Sequence, residues 1–165
     1  MAYYPDLAPC TYYDQPQTTV TVHPDGRTER VTRRPPPLFP GIELLAVGWL
    51  SGGRPYPVGV LDPALLEKLE RWNERQRFAI FMGVHRCDLP GCLADPPADT
   101  GELFVAHPFR PDALYVIPSL ALHYVRHHRY ALPAEVVATV RAAPEEKIPR
   151  VVVDYPGRRV VWERP

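Results

Sequence analysis

A chain of 165 residues with nineteen basic and nineteen acidic side chains has a net charge of zero, so no long-range field draws it to nucleic acid or to an anionic membrane, and a nucleic-acid partner is not expected. Its 45% hydrophobic and 23% charged content excludes a disordered or fibrous chain; this length buries roughly two-thirds of its unfolded surface. No stretch of about 18 apolar residues occurs, so no membrane-spanning helix is expected.

Residues 1–17 hold Tyr3, Tyr4, Tyr12 and Tyr13 among prolines. They read as an extended segment lying on the domain, because disordered tails are poor in aromatics. Thr18–Val22 and Thr28–Thr32 alternate in strand fashion around Asp25-Gly26, a tight-turn pair, and predict a hairpin. Arg33-Arg34-Pro35-Pro36-Pro37 ends it. The twenty-two prolines, roughly two and a half times average usage, predict short elements joined by stiff loops. Ile42–Leu50 is an apolar run of strand length, closed by Ser51-Gly52-Gly53.

Asp62 is placed to cap a helix whose first residue is Pro63. Leu65, Leu66, Leu69 and Trp72 then recur at helical spacing, and predict an amphipathic helix over Pro63–Arg77. Phe78–Val84 reads as a strand. Leu89–Gly101, with three prolines and two glycines, reads as a loop. Glu102–Ala106 and Ala113–Ile117 are two short strands. Pro118-Ser119 opens a helix to about Arg129, and Pro133 another to about Ala142. Val151–Asp154 and Arg159–Glu163 flank Tyr155-Pro156-Gly157 as a final hairpin. This order predicts an α+β fold with a mostly antiparallel sheet and two to three helices, in a single domain spanning 1–165.

The chemistry is concentrated in Gly83–Cys92, GVHRCDLPGC, and in the HYVRHHRY that follows. His85 and Cys87 are two apart, and alternate residues of a strand share a face. Pro90-Gly91 is a turn that returns Cys92 toward Cys87. His123 and His127 stand at i and i+4 of a helix, one above the other. Taken singly, each histidine is an ordinary surface or hydrogen-bonded residue, and free cysteines often only fill cores. Taken jointly they suit a tetrahedral ion with sulfur and nitrogen ligands. The expected metal ligands are therefore His85, Cys87, Cys92 and one of His123 and His127, with His107 in reserve, and the expected ion is zinc. Four protein ligands imply a structural site; three plus water permit hydrolysis. The nearest carboxylates, Asp88, Asp95, Asp99 and Glu102, stand at no spacing that identifies a catalytic base, so catalytic residues stay open. No HExxH, P-loop or GxGxxG is present.

Four motif groups carry a resemblance. Tyr4-Pro5-Asp6-Leu7, Leu45–Leu50 (LAVGWL), Gly83-x-His85-x-Cys87, and Tyr115-x-x-Pro118-x-Leu120-x-x-His123-Tyr124-Val125 with His127 and Tyr130 resemble a family of small uncharacterised bacterial proteins. The resemblance spans nearly the whole chain and implies only that these segments belong together. It departs from the family pattern in separating the cysteines by four residues rather than two, so a longer loop must return Cys92.

Three cysteines, and an N-terminus without a basic stretch followed by an apolar run, argue against a disulfide scaffold and for a reducing cytoplasm. The functional expectation is a zinc-stabilised binding or regulatory protein with a protein partner. The alternative is a zinc-dependent hydrolase with an open coordination position. The oligomeric state stays open.

Overall fold

The computed structural model describes residues 3–34, 39–76, 84–92, 95–145, 150–154 and 159–163. Its centre is a three-stranded sheet. After the hairpin of β1 (Gln17–Val22) and β2 (Thr28–Arg33), β3 (Glu43–Ala46) takes one edge of that sheet. A helix, α1 (Pro63–Gln76), and a two-residue ladder of β4 (His85–Arg86) with β5 (Ala98–Asp99) come next. The other two strands of the central sheet are β6 (Glu102–Ala106) and β7 (Ala113–Pro118). The order is β3-β7-β6, with β3 parallel and β6 antiparallel to β7. Two helices, α2 (Leu120–His128) and α3 (Ala134–Ala142), and a hairpin of β8 (Arg150–Asp154) with β9 (Arg159–Glu163) complete the described elements. Three helices and mostly antiparallel pairings make an α+β fold.

Every residue of β7 is buried, and the side chains divide by the two-residue period of a strand. Ala113, Tyr115 and Ile117 join Leu103, Val105, Leu45 and the helices in one core cluster. Leu114 and Val116 join Phe104, Leu44 and Ala46 in a second, with Cys10, Tyr13, Phe39 and Trp49. The sheet therefore has helices on one face and an aromatic layer on the other. Trp49 Nε1 donates to the Val116 carbonyl at 3.0 Å, which satisfies the indole inside that layer.

The N-terminal tyrosine-rich segment supplies part of the aromatic layer and also extends the sheet. Leu7 N and Cys10 N donate to the carbonyls of Ala46 and Leu44 at 2.7 Å each, and Ala46 N donates back to Ala8 at 2.9 Å. An antiparallel bridge at Pro9–Leu45 completes the pairing. The open edge of β3 is thereby covered.

On the helical face, α1 buries Leu65, Leu69 and Trp72 and packs against α2, α3 and β6. Its start is capped by Asp62 Oδ1, which accepts from Ala64 N at 3.0 Å. Ser119, at the end of β7, fixes the start of α2. Its N–H donates to the Gly101 carbonyl at 2.7 Å, and its Oγ to Asn73 of α1 at 2.7 Å.

The structure differs from the sequence reading in three places. The strand expected over Ile42–Leu50 stops at Ala46, because the chain turns at Gly48 with φ +72°. The stretch 89–101, expected to be all loop, contains β5. Pro118, expected to open the 118–129 helix, instead ends β7, and α2 begins at Leu120 after Ser119. The strand expected over Phe78–Val84 falls mainly, and the breaks at Pro35–Pro37 and Tyr155–Gly157 wholly, outside the described residues.

Candidate metal centre

Cys87 follows β4 directly and is held by its N–H, which donates to the Pro97 carbonyl at 3.2 Å. From there the chain makes a turn through Asp88, Leu89, Pro90 and Gly91. Gly91 has φ +72°, a conformation that side chains resist, and it returns Cys92 toward Cys87. Leu89 is buried in the helical-face core and anchors the tip of the turn. Its backbone N–H partly offsets the burial that raises the Cys87 thiol. The other side of the turn leans on the Ser51–Gly53 loop. Ser51 Oγ donates to Asp88 Oδ2 at 3.2 Å, and the Asp88 carbonyl comes so near Gly52 that a Cβ there would lie 2.5 Å from it.

Opposite the turn stands α2, with His123 in its second turn and His128 at its last residue. His128 Nε2 lies 3.3 Å from Cys87 Sγ, and His123 Nε2 lies 3.3 Å from Cys92 Sγ. Four donor atoms, from Cys87, Cys92, His123 and His128, all fall within 4.8 Å of one another and are close enough to hold a metal ion. The edges of a tetrahedral S2N2 shell measure ~3.3–3.8 Å, taking metal–ligand bonds of about 2.0–2.3 Å. The two sulfur–nitrogen separations fall at the short end of that range. Cys87 and His128 are buried; Cys92 and His123 are half-buried.

The electrostatics favour neutral groups until a cation arrives. Burial pushes the Cys87 thiol up to about 11. Burial, and then the neighbouring His127 and His128, hold the His123 imidazole down to about 4. Burial and His127 also lower His128. At neutral pH both imidazoles therefore offer a free lone pair, and metal binding would displace the proton of Cys87. Between the two histidines around the helix sits Tyr124, fully buried, with a hydroxyl that has no hydrogen-bond partner among the described residues. Burial, and then Cys87, Asp88 and Cys92, push its phenol far above the ordinary value, which puts that hydroxyl in the field of the two sulfurs.

The structure brings together three of the expected ligands, Cys87, Cys92 and His123, and adds His128. His85 and His127 lie outside the group. His85 was expected to share a strand face with Cys87, but β4 ends at Arg86, so the alternation does not reach Cys87. Its ring faces Tyr12, 6.2 Å away, and is half-buried there. His127 does stack on His123, with ring centroids 4.8 Å apart, yet it is exposed. His107 accepts from the N–H groups of Phe109 and Arg110 and shapes a turn. His128 was missed although a signal existed. It continues the buried stripe of Leu120, Ala121, Tyr124 and Val125, a phase in which His127 does not fall.

The four carboxylates considered as bases take other roles or positions. Asp88 accepts from Ser51, Asp95 is fully exposed beside Arg86, Asp99 accepts from Thr100 N and Gly101 N, and Glu102 is buried in β6. None belongs to the cluster. No curated protein and no solved structure matches the chain. A family described as a domain of unknown function (DUF7919) matches residues 2–141, a span that contains all four clustered side chains, and the chain belongs to that family.

Proposed function

We propose that Cys87, Cys92, His123 and His128 bind one zinc ion in a closed structural site, and that the protein is a zinc-stabilised binding or regulatory protein. The observation that carries this reading is the mutual approach of two sulfurs and two imidazole nitrogens within 4.8 Å. Mixed thiolate and imidazole donors suit zinc among the common divalent ions. Four protein donors leave no position for an activated water, which supports a structural role over the hydrolase alternative. The ion ties a short turn, closed by Gly91 and resting on Leu89, to the face of α2. A reducing compartment such as the cytoplasm suits the reading, because all three cysteines are free. Among the described residues no helix is long and apolar enough to cross a membrane. The partner we propose for it is another protein.

The test is metal analysis of protein purified under reducing conditions, followed by cobalt substitution. One zinc per chain is expected. The cobalt form should show intense visible bands of a tetrahedral ion with thiolate-to-metal charge transfer. Reduced protein that holds no zinc after incubation with it, or weak cobalt bands of a water-rich octahedral shell, would reject the closed site.

A further inference from the structure

We infer that Cys87 and Cys92 form a hydroperoxide-responsive pair that exchanges the metal for a disulfide. This rests on the zinc reading above and adds a reaction to it. The two sulfurs lie within 4.8 Å of each other, across a turn already closed by Gly91 at φ +72°. They are not equally reachable. Cys87 is 6% exposed, whereas Cys92 and its neighbour His123 are half-buried. An open groove of about 350 Å³, lined by His123 and His127 with Asn73, Glu74 and Pro97, lies on the His123 side of the pair, with neither sulfur in its lining. The third thiol does not compete for the pairing. Cys10 is packed with Tyr13, Phe39 and Trp49 in the core cluster on the opposite face of the sheet.

The chemistry balances with a hydroperoxide as oxidant. The Cys92 thiolate attacks the terminal peroxide oxygen, the O–O bond breaks, and Cys92 becomes a sulfenic acid. The departing alkoxide, or hydroxide from hydrogen peroxide, takes a proton from solvent. The Cys87 thiolate then attacks the Cys92 sulfur, the S–O bond breaks, and hydroxide leaves to be protonated as water. The two sulfurs together give up two electrons. With both thiolates consumed, His123 and His128 alone no longer hold the ion.

The structural consequence is selective. The metal does two things, closing the turn and fastening it to α2. The disulfide keeps the first and abolishes the second. Oxidation therefore frees the end of α2, where His128 is buried against Cys87, while the turn stays closed.

The experiment uses the full native chain, reduced and zinc-loaded, exposed to hydrogen peroxide. Zinc is read with a chromophoric chelator, thiols by peptide mass mapping, and α2 by amide hydrogen exchange. One zinc is expected to leave for each Cys87–Cys92 disulfide formed, with Cys10 still a thiol, faster exchange in 120–128, and recovery on adding a dithiol and zinc. Zinc that stays bound with both thiols intact overturns this inference and leaves the closed site standing. Release accompanied by sulfinic or sulfonic acids, or by a cross-link to Cys10, also overturns it. Reduced protein that never binds zinc removes the reading underneath, and the inference falls with it.

Discussion

His123 and His128 are five positions apart on α2, so their Cβ atoms point about 140° apart around the helix. They still serve one cluster because each reaches a different sulfur, His123 toward Cys92 and His128 toward Cys87. The turn straddles the helix at Tyr124. This geometry separates His128 from its neighbour sharply. Replacing the buried His128 with Ala removes a donor and leaves Cys87 without its partner, so zinc affinity should fall more than ~100-fold, beyond the usual effect of a supporting residue. His127→Ala changes an exposed ring and should leave affinity within a factor of about three. Competition against a chelator of known affinity measures both, and equal losses would place His127 in the shell. Tyr124→Phe tests the orphan hydroxyl. An unpartnered buried donor costs ~1–3 kcal/mol, so the metal-free variant should be as stable as its parent or more so. If zinc binding draws a thiolate within reach of that hydroxyl, the zinc-bound variant should lose ~10–100-fold in affinity, and an unchanged affinity would show that the hydroxyl does not support the site. A metal-free variant that melts well below the parent would show that the hydroxyl already has a partner.

At the scale of elements, the close approach of the Ser51–Gly53 loop to the 87–92 turn has no flexible side chain to absorb a clash. The atom nearest a Cβ at Gly52 is the backbone carbonyl oxygen of Asp88, at 2.5 Å. Gly52→Ala should therefore push the turn off its seat, moving Cys87 and Cys92 relative to α2. Zinc affinity should drop by at least ~10-fold at a stability cost of ~1–3 kcal/mol, the range for overpacking a tight site. Calorimetry with and without zinc separates the two effects, and an unchanged affinity would mean that the turn holds itself. The elements legible in the chain were those governed by local rules. Asp62-Pro63 and the Leu65–Leu69–Trp72 spacing define α1, and Asp25-Gly26 defines the first hairpin. What was not legible depends on distant partners. Nothing local tells that β3 runs parallel to β7 or that 7–10 pairs along its free edge. The site was read in the same way. Cys87, Cys92 and His123 followed from local spacing. The choice of His128 over His85 and His127 needed the register between the apolar stripe of α2 and the end of β4.

For the molecule as a whole, the sheet is covered on both faces, and that decides what losing the metal does. A small finger domain without its ion has no core left and unfolds. Here the helical-face cluster contains Leu69, Trp72, Tyr115 and Ile117, each almost fully buried, and Trp49 and Phe104 do the same on the aromatic face. Of the 87–92 turn only Cys87 and Leu89 belong to the helical-face cluster, with Cys92 packed against it, and the turn itself keeps Leu89, the Ser51–Asp88 hydrogen bond and the Cys87 N–H to Pro97 bond. Stripping the metal should therefore lower stability without abolishing the fold. Free zinc at about a thousand times its dissociation constant stabilises a folded site by ~4 kcal/mol. At ~2–4 °C per kcal/mol for a chain of this size, chelation should lower Tm by ~8–16 °C. The far-UV circular dichroism should stay native below the transition, and readdition of zinc should restore Tm. Exchange protection should fall first at the C-terminal end of α2 and last in β7, which has a core on each face. Collapse to an unfolded spectrum on chelation would mean that the two-sided core does not stand alone and that the metal organises the whole chain.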